Sequence, residues 1–374
     1  MFSGRTVVSA QRARRWSVVL AVALVLATIP VVLNAWPVRA TGGDLALLRD
    51  RIAASGTQSF QGYVQSTGRL GLPALPNLSQ VTALLSGTTE MRTWYAGADR
   101  WRVDVLGPGT EQDLYQTAEG QVRWDYGESQ LTRILGEQPL RLPRAADLTP
   151  PELVRRVLRL AAGDRVDPLA ANRVAGVDAA GLRLVPAEPG TTVAHVDIWA
   201  DPGTGVPLQA EITAKGGTRP VFVTRFLEVQ FRVPDPSVLT PPAERPGIGF
   251  TVTEAPDILG VLADRQPAAM PQRLAGMQRR DTVPGLTAAG AYGAGLSAFV
   301  VVALPSRFGS RVFEQLAAYG RVVTVPAGTA ALIATGLLTA LVVRTASGNC
   351  LVTGTVDAAL LERAAGDLAR EASC

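Results

Sequence analysis

Trp101-Arg-Val-Asp-Val-Leu-Gly-Pro-Gly109, then Gln112 to Thr117, then Val122-Arg-Trp-Asp-Tyr126: in this stretch apolar and polar residues alternate, and each run ends in a glycine-bearing turn. Trp101, Val103 and Val105 alternate with Arg102 and Asp104, and Gly107-Pro-Gly109 turns the chain. Glu119-Gly120 turns it again, and Val122, Trp124 and Tyr126 then alternate with Arg123 and Asp125. Period two with short turns marks an antiparallel meander. A sheet of that kind has one apolar face and needs cover on one side only.

The pattern extends both ways from this stretch. Upstream lie a strand with Phe60, Gly62 and Val64 on one side, the Pro/Gly-rich loop Gly71 to Pro76, a helical turn at Leu78 to Leu85, and Arg92-Thr-Trp-Tyr95. Leu45, Leu48 and Ile52 predict a short helix from Asp44 to Ala54. Downstream, Thr149-Pro-Pro-Glu152 predicts a capping box with proline in the first turn. Leu153, Val157 and Leu160 would form the apolar stripe of that helix. Strands resume at Arg173 to Val177, Leu182 to Val185, Ala194 to Ile198 and Leu208 to Ile212, and Leu227, Val229 and Phe231 mark the last. The expected fold is α+β: a curved, open antiparallel sheet covered by its helices.

Residues 233–249 read as a proline-rich linker, and 250–374 as a smaller α+β domain. Its expected helices are Pro256 to Ala263, Arg307 to Ala318 with Phe308, Val312 and Leu316 on one face, and a last one capped by Thr355. Strands are expected near Ser297 to Leu304, Val322, Leu332, Leu341 and Leu351. The apolar run Ala330 to Val343 is too short to span a bilayer and is broken by Gly336, so two adjacent core strands explain it.

Ahead of all this stands a charge-free span, Trp16 to Val38, behind a leader (1–15) that carries Arg5, Arg12, Arg14 and Arg15. Basic residues on that side keep it cytoplasmic and place everything after Ala40 outside the cytoplasm. Two readings compete: a signal peptide cut after Val38-Arg39-Ala40, or an uncleaved transmembrane anchor flanked by Trp16 and Trp36. No cysteine lies near the span, which excludes a lipoprotein anchor. Cys350 and Cys374 are the only cysteines, and outside the cytoplasm they are expected to pair.

Composition removes several functions. The net charge is +4, with no basic cluster beyond the leader, so nucleic acid is not an expected partner. His195 is the only histidine and Lys215 the only lysine, which leaves few general bases. Gly295-Leu-Ser-Ala-Phe299 fails as a nucleophile elbow at its last position. Neither metal-ligand spacing nor a phosphate loop is present, so no catalytic residue, metal or cofactor is assigned. Carboxylate pairs such as Glu111 and Asp113 follow from acid–base alternation on exposed strands.

The aromatic residues carry more. Tyr63, Trp94, Trp101, Trp124, Tyr126 and Trp199 all fall in the meander, as lining for an apolar ligand or as plain core.

Phe60-Gln-Gly-Tyr63, Leu70-Gly-Leu-Pro-Ala-Leu-Pro76, Arg92-Thr-Trp-Tyr95, Trp101-Arg-Val-Asp104, Val122-Arg-Trp-Asp-Tyr126 and Val196-Asp-Ile-Trp-Ala-Asp-Pro202 resemble the LolA-like fold. That is the fold of lipoprotein carriers and of RseB/MucB-type regulators of envelope-stress sigma factors. The resemblance spans about Asp44 to Arg232 and implies a half-barrel with helices closing its mouth. It also implies an acyl or lipoprotein ligand and, in the two-domain regulator branch, a membrane-anchored anti-sigma factor as partner. The second domain is not matched strand by strand to that branch. The leading expectation is a non-enzymatic extracytoplasmic sensor. A lipid or lipoprotein carrier is the alternative, disfavoured by an uncleaved anchor because a tethered protein cannot shuttle. A structural envelope protein with a filled core would have no cavity.

Overall fold

The computed structural model describes residues 44–72, 79–136, 143–254, 270–280, 289–326, 328–345 and 348–371. The expected span at 16–38, the helix at Pro256 to Ala263 and Cys374 lie outside them. Among the described residues no helix is long and apolar enough to cross a membrane.

The first unit begins with helix α1 (Leu45–Ala54), whose first turn is capped by the Asp44 carboxylate accepting from Ala46 N–H. Strand β1 (Phe60–Gly68) and helix α2 (Ser79–Ser86) follow. The meander is β2 (Thr88–Gly97), β3 (Arg100–Gly107), β4 (Thr110–Thr117), β5 (Gly120–Asp125) and β6 (Gln130–Leu135). After helix α3 (Pro150–Leu160) come β7 (Arg165–Val174), β8 (Val177–Val185), β9 (Val193–Ala200), β10 (Pro207–Ala214) and β11 (Phe222–Gln230). With β12 (Gly249–Glu254) they form one 12-stranded sheet, ordered β12-β6-β5-β4-β3-β2-β1-β11-β10-β9-β8-β7. Every pairing is antiparallel except β12 with β6. The sheet rolls up, since β7 and β11 touch although three strands separate them. Inside the roll, Ile52 of α1 and Val154 and Leu158 of α3 pack with Phe60, Val64, Met91, Tyr95, Leu182, Ile198 and Phe226.

The second unit is an 8-stranded sheet, ordered β13-β14-β15-β16-β20-β19-β18-β17. Its strands are β13 (Arg273–Leu274), β14 (Met277–Arg280), β15 (Ala289–Ala294), β16 (Ser297–Leu304), β17 (Arg321–Val325), β18 (Gly328–Ala334), β19 (Thr339–Arg344) and β20 (Asn349–Gly354). Helix α4 (Ser306–Tyr319) lays Phe313 and Leu316 on one face against Val302, Leu304, Ala331 and Val342. Helix α5 (Ala358–Arg370) covers the other face with Leu361, Ala365 and Leu368 against Val301, Leu332, Leu341 and Val352. Cover on both faces is why the run from Ala330 to Val343 is apolar without alternation.

Hydrogen bonds rivet the two units. Asp164, after α3, accepts from Ala187 N–H and Leu296 N–H. Thr191 Oγ1 reaches the Leu296 and Thr355 carbonyls, and Thr191 forms an isolated bridge with Val356. Leu296 and Leu337 of the second unit are buried in the first unit's core.

Several local expectations are corrected. Thr149 does not cap α3: its hydroxyl donates to the Ala146 carbonyl, while Glu152 is engaged by Arg155. The buried stripe of α3 is Val154, Val157 and Leu158, with Leu160 half exposed. In α4 Phe313 points inward and Phe308 outward, and α5 is capped by Asp357 in place of Thr355, whose hydroxyl bonds Leu296. On β11, Phe222, Thr224 and Phe226 face the core, and Leu227 and, just past the strand, Phe231 are exposed. A bulge opposite Tyr63 and Val64 inverts the phase there. Residues 250–254, expected beyond the linker, pair with β6 in the first sheet.

Candidate functional site

Because side chains alternate across a strand, the register assigns each aromatic to a face. Trp101 pairs with the buried Tyr95 and lies on the inner, helix-covered face. Tyr63 pairs with Arg92, Trp94 with Arg102, and Trp124 with Asp113, all on the outer face. Tyr126 follows β5 and is exposed, its ring edge-on to Trp124 at 5.5 Å. Trp199 alternates with the buried Ile198 and Ala200, and its indole N–H donates to the Ala170 carbonyl. The six residues expected to line one cavity are therefore divided between two faces. Trp101 stands on the inner face, where it joins Val105 and Leu114 as partly buried neighbours of the core, and Trp199 also packs against that core.

Helices α1, α2 and α3 sit over β1, β2, β7, β10 and β11. Trp101, Val105 and Leu114 on β3 and β4 form an apolar lip beside that plug, open enough to be partly exposed. Two clefts lie on the other side of the sheet. One of about 420 Å³ is lined by Val122, Leu131, Arg133, Pro241, Pro242 and Phe250, among others. A smaller one of about 160 Å³ is lined by Gln65, Thr67, Arg69, Pro220, Val223 and Arg225. None of the six aromatic residues lines either cleft.

The outer face also carries a buried polar cluster that alternation alone assigned to solvent. The guanidinium of Arg102 lies between the rings of Trp94 and Tyr115, 5.0 and 4.9 Å from their centroids. It donates to both oxygens of Asp104 at 2.5 and 2.8 Å, to Asp113 Oδ2 at 2.9 Å and to the Val238 carbonyl at 3.3 Å. Tyr115 Oη donates to the same Asp113 oxygen at 3.1 Å. Asp104 and Asp113 are each 1% exposed, and Asp113 Oδ1 has no hydrogen-bond partner. Burial, and then the charge of Asp104, push the Asp113 carboxyl up to about 7 against the pull of Arg102. Burial also raises Asp104, which Arg102 opposes.

The carboxylates of Asp104, Glu111 and Asp113 are close enough together to hold a cation. The Arg102 guanidinium already supplies the positive charge between them, so the cluster reads as an ion-pair network. Beside it Tyr115, Val122, Trp124 and Leu131 make a satellite core closed by Ile248. The segment Asp235 to Ile248 thus lies as a strap over the outer face, with Leu239 buried. One sequence signal for the cluster existed: Asp104 and Asp113 are equidistant from the Gly107 to Thr110 turn, which makes them cross-strand partners. Nothing local announced the strap that buries them. His195 sits 3.7 Å from Asp197, whose carboxylate Arg183 already holds through two hydrogen bonds.

No family model matches this chain, and no curated protein matches it. Solved structures do. The MucA/MucB complex of Pseudomonas aeruginosa is similar over 85% of this chain and 95% of that one, at 20% identity and a TM-score of 0.46. MucB in complex with MucA(peri) is similar over 86% and 97%, at 19% identity and a TM-score of 0.47. A LolA superfamily protein from Nitrosomonas europaea is similar over 52% of this chain and 96% of its own, at 14% identity and a TM-score of 0.22. The likeness to MucB and to LolA-superfamily proteins is one of fold alone.

Proposed function

We propose that this chain is a non-enzymatic extracytoplasmic sensor. Its half-barrel would take a hydrophobic acyl chain of a lipid or lipoprotein, and its two units would together contact a membrane-anchored anti-sigma-type protein. The observation that carries the ligand half is the lip of Trp101, Val105 and Leu114, apolar, continuous with the core and still partly exposed. A chain entering there would extend the α3 plug and bury that surface, which favours binding by about 25 cal/mol per Å² of apolar area removed from water. The partner half rests on the two-unit plan, which is similar to that of the regulator branch, and on the riveted junction, which would present both units as one surface. A carrier is the second reading, favoured by a cleaved, freely diffusing form.

Native mass spectrometry of the full-length protein, gently purified from the envelope of its source cell, tests the ligand half. A mass excess that dissociates as lipid is expected. A bare chain mass would sink it and leave contact between proteins through a filled core. Co-purification without a membrane-anchored regulatory protein would sink the partner half.

A further inference from the structure

The strap Asp235 to Ile248 and the acid pair beneath it form a single device. Asp104 and Asp113 face each other directly across β3 and β4, close enough that their carboxyls hydrogen-bond when one is protonated. Only one guanidinium, that of Arg102, stands between them, and its Nη1 holds the strap through the Val238 carbonyl. Two buried carboxylates with one counter-charge leave an excess negative charge in a poorly hydrated place. The unpartnered Asp113 Oδ1 is the structural sign of it. A proton there would neutralise the excess and supply the missing hydrogen bond.

We propose that the Asp104–Asp113 pair is a proton-binding site that latches the strap: proton uptake holds it on the sheet, and proton release frees it. Ionising Asp113 under the closed strap costs free energy, which is relieved when the strap lifts and water reaches the pair. The closed state therefore binds the proton more tightly than the open state, and linkage fixes the sign. The fraction of open strap rises with pH between the ordinary carboxylate range and the raised value of Asp113, by at most about tenfold per pH unit for one proton.

The other charges facing the pair are few. Arg92 on β2 lies across from Asp104, Glu111 lies next to Asp113 on the same face of β4, 3.9 Å from Arg102, and the charges of the strap itself, Asp235, Glu244 and Arg245, are solvent-exposed. Trp124, opposite Asp113 on β5, is uncharged. The strap runs directly into β12 and walls the larger outer cleft with Pro241 and Pro242, so lifting it would uncover the buried Val122 and Leu131. This regulation is independent of any ligand on the inner face.

Hydrogen exchange of the full-length protein, read by mass spectrometry from about pH 5 to pH 8 and corrected for intrinsic exchange, tests it. Gly249 N–H, bonded to the Ser129 carbonyl, reports whether the strap is seated. Strap peptides are expected to lose protection several-fold as pH rises towards 7, while β16 in the second unit stays level. Asp113→Asn, a neutral mimic of the protonated acid, is expected to keep the strap protected at every pH. Flat strap protection in the wild type would overturn the proposal, whether or not the variant folds. So would an Asp113→Asn protein that tracks the wild type.

Discussion

The carboxylate of Asp164 accepts the backbone N–H of Leu296, 132 residues further along the chain, at 2.8 Å, and its other oxygen accepts Ala187 N–H at 3.0 Å. Gly295, just before Leu296, has φ +60° and lies so close to Asp164 that a Cβ there would sit 2.3 Å from Oδ1. One side chain thus ties the turn between β15 and β16 to the end of α3. Asp164→Ala would leave the buried Leu296 N–H unpaired, a loss of about 1–3 kcal/mol, while the more exposed Ala187 N–H could turn to water. A lowered melting temperature and new proteolytic cleavage between the two units are expected. An unchanged melting curve would show that the junction does not depend on this carboxylate.

Gly62 is a second point where sequence and packing meet. A Cβ there would lie 2.2 Å from the Glu228 carbonyl and 2.8 Å from the Phe226 ring, where β1 meets the bulge of β11. Gly62→Ala is expected to destabilise by about 2 kcal/mol or more, as overpacking against backbone does. Gly56→Ala, with nothing within 4 Å of the new methyl, is the control and should stay within about 0.5 kcal/mol of the wild type in chemical denaturation.

The division of the tryptophans gives a direct test of where an acyl chain binds. Trp101 is on the inner face, whereas Trp94 and Trp124 are on the outer one. Fatty acids carrying a bromine or nitroxide quencher are expected to quench Trp101, with the loss of that quenching in Trp101→Phe. Equal quenching of Trp94 and Trp124 would move the ligand to the outer face.

Cys350 is fully buried on β20 and is not a free thiol. Pairing with Cys374 would close a loop of about 25 residues and stabilise by about 3.5 kcal/mol in the chain-entropy model. Unreduced protein should resist alkylation under denaturing conditions, and Cys374→Ser should lower the unfolding midpoint. Quantitative alkylation of both thiols without reductant would refute the pairing.

Tyr292 is buried in the second unit with its hydroxyl donating to the Pro271 carbonyl, and burial pushes its ionisation up to about 12. The folded state keeps the proton after the unfolded chain has lost it, so its contribution to stability is complete below about pH 10 and disappears as pH rises through about 12. Alkaline unfolding followed by circular dichroism should be less steep for Tyr292→Phe than for the wild type.

Much of this was legible in the residues. The alternation from Trp101 to Tyr126 dictates strands, and the Gly107 to Thr110 turn dictates which strands pair and that Asp104 meets Asp113. The apolar run from Ala330 to Val343, broken at Gly336, dictates two adjacent core strands. Spacing is a local property and these are its consequences. The helix caps were misread for the same reason: Thr149 and Thr355 have good local geometry, but carbonyls at Ala146 and Leu296 compete for their hydroxyls.

What only the tertiary structure decided is which face meets what. A period of two defines two faces and says nothing about their cover. The bulge at Tyr63 and Val64 exchanges them along β11, so Phe226 turns inward and Leu227 outward. The strap, whose Val238 lies 136 residues from Arg102, turns solvent-facing alternation into a buried acid pair. Burial is set by chain segments distant in sequence, and with it the protonation of Asp113.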